Sequence, residues 1–163
     1  MRHRKEKFIE TASWVIMVLV LIKYVPRNRL REANIAFLFK QVITWLFGLM
    51  VTEYRLIRYP YRMFFRRSTK SSFTFEYFVY PALCVLFNLY YPDKKNYLYK
   101  AFHYFWHTGI ITLLELYALK YTRLIVYKRW TWYWTFATVW ITYYIFQEYI
   151  TGGSQEKARL RLG

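Results

Sequence analysis

Four ionisable residues stand in or at the edge of otherwise apolar stretches of this chain. Lys40 falls within AFLFKQVITWLFGL, Glu53 lies just beyond it, Glu76 opens FEYFVYPALCVLFNL, and Glu115 sits in the middle of TGIITLLELYAL. If these stretches lie in a bilayer, a charge at their centre costs at least about 2.5–3.5 kcal/mol on insertion scales, so the four form a candidate intramembrane polar site. The carboxylates could take up a proton or a cation, and Glu115, the acid nearest the middle of a stretch, is the best placed to do so. A structural role competes with that reading. Arg55, Arg58 or Arg62 would neutralise Glu53, Glu76 and Glu115 in a ring of salt bridges, and Glu76 would also gain from the macrodipole in the first turn of its helix.

The remaining chemistry-bearing types are His103 and His107, which are four residues apart and therefore on one helix face. They could share a metal, with Glu148, Asn88 or Cys84 completing the shell. The pair HYFWH lacks the intervening acid of a zinc-protease motif, and histidines near a membrane edge also pack against headgroups. No serine lies in a sharp glycine-flanked turn, and no acid pair or glycine-rich phosphate loop is present. These absences predict a chain that is not an enzyme and carries no cofactor. Cys84 is the single cysteine, which rules out an internal disulfide.

Five apolar segments must position these residues: 8–24, 34–54, 72–91, 97–121 and 130–150, followed by a basic tail, 151–163. A spanning helix needs about 20 mostly apolar residues. The fold class expected is therefore all-α, a single membrane domain (1–163) of about five spanning helices. The first segment is the shortest and contains Glu10; it reads as an uncleaved anchor rather than a signal peptide, because KYVPRNRLRE follows it instead of a small-residue cleavage site.

Composition agrees. The chain is 56% hydrophobic and carries 25 Lys and Arg against 9 Asp and Glu, a net charge of +16. The bases cluster between the apolar segments, as juxtamembrane loops do against anionic lipid headgroups. A nucleic-acid binder would need a polar exterior that cannot be drawn here, so nucleic acid is not an expected partner. The longest connection, EYRLIRYPYRMFFRRSTK, alternates bases with aromatics and reads as interfacial, its rings at headgroup level. The amino terminus with the second and fourth loops holds more bases than the other side, which places the amino terminus in the cytoplasm and the tail outside.

Helical phase marks the faces expected to meet other helices. Lys40, Gln41, Thr44, Gly48 and Thr52 recur every three or four residues. Ser72, Glu76, Tyr80, Cys84 and Asn88 recur every four, and Thr131, Thr135, Thr138 and Thr142 form a seam of small hydroxyl residues. Such stripes pack membrane helices and hydrogen-bond between them. Pro81 removes the donor for the carbonyl of Tyr77 and is expected to kink its helix. By depth, Glu10, Glu53, Glu76 and Glu115 fall in one layer, and Lys40, His103, His107 and Glu148 in the opposite one.

The stretches AFLFKQVITWLFGL, LIRYPYR, SSFTFEYFVYPALCVLFNLYYP and WTWYW resemble an uncharacterised family of small multi-span integral membrane proteins from endospore-forming Gram-positive bacteria. The resemblance covers most of the chain and implies a multi-pass protein of a bacterial plasma or spore membrane. It implies no activity. Three classes of function stand open. The first is a non-enzymatic component that organises a complex or a specialised membrane, with a homo-oligomer or another membrane protein as partner. The second is a small channel, permease or lipid-handling protein that uses the intramembrane ionisable residues. The third is a membrane enzyme or metal-binding protein that uses the histidine pair.

Overall fold

The computed structural model describes residues 3–65, 67–68 and 70–148; the basic tail and the end of the fifth segment lie outside them. Five α-helices fall on the five apolar segments: α1 (Arg4–Tyr24), α2 (Leu30–Glu53), α3 (Tyr80–Leu89), α4 (Tyr97–Tyr121) and α5 (Trp132–Ile145). Two short strands, β1 (Ile57–Arg58) and β2 (Val126–Tyr127), pair antiparallel, Ile57 opposite Tyr127. Among the described residues, one helical stretch, Arg27–Glu53, is long and apolar enough by length and composition to cross a membrane, with a mean hydropathy of 1.7.

The helix ends follow local chemistry. Pro26 stops α1 and starts the 3₁₀ turn Arg27–Arg29 that leads into α2. Asn96 caps α4, its side-chain oxygen accepting from the N–H of Tyr99 at 3.4 Å. At the end of α2 the N–H of Leu56 donates to Val51 O at 2.8 Å and that of Arg55 to Thr52 O at 3.2 Å, a Schellman pair. That turn needs a left-handed residue, and Arg55 supplies it with φ 54°. An L-residue there costs roughly 1–2 kcal/mol more than glycine would.

Helix α3 is the centre. Pro81, Ala82, Cys84, Val85, Phe87, Asn88 and Leu89 are all buried, and α2 is its most extensive partner. A π-helical turn, Phe75–Val79, leads into it. The i to i+5 bonds of that turn run as far as Tyr80 N–H to Phe75 O; the next donor in the register would be residue 81, a proline. Two carbonyls are thus left to α2. Thr44 Oγ1 donates to Glu76 O at 2.6 Å, and Gln41 Nε2 to Tyr77 O at 3.2 Å. The polar stripes of α2 and α3 therefore meet because a proline and a π turn expose backbone that only side chains of α2 can satisfy.

Helix α1 closes the other flank through buried carboxylates. Glu10 Oε2 accepts from the N–H of Met63 at 3.1 Å and from Thr74 Oγ1 at 3.0 Å, while Glu6 Oε1 accepts from the N–H of Arg123 at 3.3 Å. Trp14 stacks on Phe78 with ring centroids 4.0 Å apart. In the connection after α2, Tyr54 and Phe65 are exposed, whereas Ile57, Tyr59 and Tyr61 are buried. Backbone bonds turn the latter inward: β1 is held to β2, and Tyr61 N–H donates to Arg123 O at 3.2 Å.

Candidate functional site

A cavity of about 80 Å³ lies between α2, α3, α4 and α5. Lys40, Thr44 and Gly48 of α2 line it, with Glu76 of the π turn, Glu115 of α4, and Thr135, Thr138 and Thr142 of α5. Three of the four sequence-selected ionisable residues are thus brought together. Within the cavity Lys40 stands about two helical turns along α2 from Gly48, against which the Glu76 carboxyl group lies.

Glu115 is buried and held. Its Oε1 accepts from the hydroxyl of Tyr127 at 2.7 Å and from Thr135 Oγ1 at 3.2 Å, and Trp130 Nε1 donates to Thr135 Oγ1 at 2.9 Å. Glu76 is 3% exposed. The Tyr59 and Ser71 hydroxyls and the Ser72 N–H face its carboxyl group, yet neither oxygen meets hydrogen-bond geometry with any described residue. Its carboxyl group occupies the space where a side chain on Gly48 would begin. A side chain at position 48 would therefore have to displace that carboxyl group. Lys40 is 2% exposed, and its Nζ stands 5.2 Å from the centroid of the Tyr143 ring. Among the described residues none of these three groups has an ion-pair partner.

Among the described residues, the expected ring of salt bridges does not form around the cavity. Glu53 points away from the cavity, three-quarters exposed, and pairs with Lys70 at 3.4 Å. Arg55, Arg58 and Arg62 line an outer basin that Glu53 shares, and Arg62 Nη1 donates to Tyr59 O. Inside, Glu115 is met by the hydroxyls of Tyr127 and Thr135 instead. Tyr59 and Tyr127 lie in the connections outside the helices, and burial first, then Glu76 and Glu115 nearby, pushes both phenols up. They stay protonated at any physiological pH and can serve the acids as donors.

His103 and His107 stand elsewhere. Their ring centroids are 4.2 Å apart, His103 Nε2 lies 3.0 Å from the carbonyl oxygen of Phe87, and His107 Nδ1 lies 3.0 Å from that of His103. Both rings pack against Phe87. Among the described residues no group of three His, Cys, Asp or Glu is placed to hold a metal. The threonine seam does face inward, but with a different use from the one expected. Thr138 and Thr142 donate to Trp134 O and Thr138 O of their own helix, at 2.8 and 2.6 Å; among the described residues Thr135 is the one that reaches another helix.

Sequence reasoning missed Tyr59, Tyr127 and Trp130 as parts of the site, and Glu6 and Glu10 as ties for the connections. The first three sit in or next to loops, where no periodicity marks an inward side. Compared with protein-family models, curated proteins and solved structures, the chain matches none.

The arrangement can hold water or a small hard cation. A water needs roughly 10–15 Å³ by the same measure, so several fit. Apart from the Lys40 ammonium and the Trp130 indole, the polar side chains of the lining are two carboxyls, threonines and the tyrosines Tyr59 and Tyr80, a set suited to protons and oxygen-seeking cations rather than to soft metals.

Proposed function

We propose that this chain is a multi-pass integral membrane protein whose bundle core takes up protons or small cations at the Glu76–Glu115 cavity, as a small channel or permease would. One observation carries the reading: apolar residues face outward while unpaired ionisable groups face inward. Val15, Leu19 and Ile22 of α1, Leu38, Val42 and Leu46 of α2, Phe105, Leu113 and Leu114 of α4, and Trp134, Ile141 and Ile145 of α5 are all exposed. Lys40, Glu76 and Glu115 are buried. In water that distribution loses on both counts; in lipid the outer faces are solvated by acyl chains. The inner groups still cost a few kcal/mol each, an expense that bundle packing by itself does not require.

Helix lengths support the reading in part. At 21, 24 and 25 residues, α1, α2 and α4 reach about 31–38 Å, against a hydrocarbon core of about 30 Å. The tyrosines and tryptophans that lower the hydropathy of α4 and α5 are residues favoured at the interface. The bilayer would be a bacterial plasma or spore membrane, as the resemblance implies, and a homo-oligomer would widen the path that one such cavity offers.

The experiment is flux through proteoliposomes, read by an internal pH-sensitive dye and by cation-sensitive dyes. Wild-type protein should transport at least one probe faster than empty vesicles. Glu115→Gln and Glu76→Gln should slow it at least tenfold, and Glu53→Gln less than twofold. Flux equal to that of empty vesicles, or equal in all variants, overturns the reading. The second reading, a component that organises a membrane assembly, is favoured by the exposed aromatic band of Trp106, Trp132, Tyr133 and Trp134. It predicts no flux and a discrete co-purifying or self-associated complex.

A further inference from the structure

On the outside of the same end of the bundle, two basic segments far apart in sequence are fastened side by side. The β1–β2 pairing joins them, and the N–H groups of Lys128 and Arg129 both donate to Leu56 O, at 2.9 and 3.2 Å. The result is an open basin of about 880 Å³ whose lining includes Arg55, Arg58, Arg62, Lys70, Lys128 and Arg129. Among the described residues its single carboxylate is Glu53, which is paired with Lys70.

Two ordinary causes could gather bases here. The carboxyl end of α2 attracts cations through its dipole, and cytoplasmic loops are rich in bases in general. The first acts within one helical turn and does not reach the β2 side. The second asks only that bases be on one side, not that backbone hydrogen bonds lock them around one hollow against their mutual repulsion. Arg55 adds a further sign. It occupies a left-handed position, φ 54°, where glycine would be the relaxed choice. Its side chain lies at the rim of the basic hollow.

We propose that this basin binds a phosphate-bearing anion carrying more than one negative charge, its arginines gripping phosphate oxygens in the bidentate manner that guanidinium allows. The hollow falls within the range of small-molecule sites. Tyr54 and Ile57 offer apolar contact beside the cations. The phosphate can come from an anionic phospholipid headgroup or from a soluble polyphosphate compound. The inference does not depend on ion transport through the core.

The test uses the full chain purified in a neutral detergent at fixed ionic strength. Intrinsic tryptophan fluorescence is titrated with inorganic tripolyphosphate in one arm, and with phosphatidylglycerol against phosphatidylcholine in mixed micelles in the other. Saturable binding of tripolyphosphate, of phosphatidylglycerol, or of both is expected, and which arm responds identifies the source. Arg58→Gln with Arg129→Gln should weaken that binding at least tenfold. Lys94→Gln with Lys95→Gln, the same change of charge in the loop before α4, should weaken it less than threefold. Arg55→Gly separates binding from folding: thermal stability should rise while affinity falls. Saturation by neither probe, equal losses in both double variants, or undiminished affinity in Arg55→Gly overturns the proposal.

Discussion

Thr44→Val gives the sharpest test of how α2 and α3 are joined. The substitution keeps shape and β-branching and removes one hydroxyl, which donates to Glu76 O at 2.6 Å. That carbonyl has no helical donor, because the π register runs into Pro81. Leaving a buried carbonyl unpaired costs about 1–3 kcal/mol, and a hydrogen bond between membrane helices averages about 0.6 kcal/mol. The expected loss is therefore about 1–2 kcal/mol. Thr138→Val removes a hydroxyl that serves only carbonyls of its own helix, and should cost less than about 0.5 kcal/mol. Pro81→Ala restores an N–H near the orphaned carbonyls, so in that background the cost of Thr44→Val should fall by about 1 kcal/mol, a coupling that a double-mutant cycle isolates. Thermal unfolding in detergent can be followed with a thiol-reactive dye, since Cys84 is fully buried until the fold opens. One kcal/mol should move the midpoint by roughly 2–4 °C for a chain of this size. A Thr44→Val midpoint within 1 °C of wild type, or the same loss with and without Pro81, would refute the account.

Gly48→Ala gains about 0.5–1 kcal/mol of helix propensity but meets the Glu76 carboxyl group. It should stabilise Glu76→Ala protein by that amount and wild type by none; equal gains in both would show that the carboxyl group is not wedged there. Tyr127→Phe removes the 2.7 Å donor to Glu115 while Thr135 remains. It should cost about 1 kcal/mol, and less than half of that in Glu115→Leu protein, by the same unfolding assay. Cysteines introduced at Arg58 and Lys128, which the strand pairing holds at one end of the bundle, should label from one side of sealed membranes and one at Lys95 from the other. Labelling of all three from one side would refute the spanning arrangement. The chain should also stay in the membrane pellet through an alkaline carbonate wash, and its release would sink the bilayer reading altogether.

Much of this was written in local pattern. Apolar runs of the right length and the breaks at Pro26 and Pro92 determined where the helices lie, because helix formation depends on neighbours within a turn or two. The stripes of α2 and of the π turn with α3, and the orphaned carbonyl of Tyr77, were readable for the same reason. What the stripes face was not. Only the tertiary structure decided that Lys40 and Glu76 share a cavity with Glu115, that Glu53 turns outward to Lys70, and that hydroxyls rather than arginines meet Glu115. The inward plunge of Tyr59 and the gathering of Arg58 with Arg129 depend on strands two residues long. Such strands have no period to detect; backbone hydrogen bonds between segments far apart in sequence fix them.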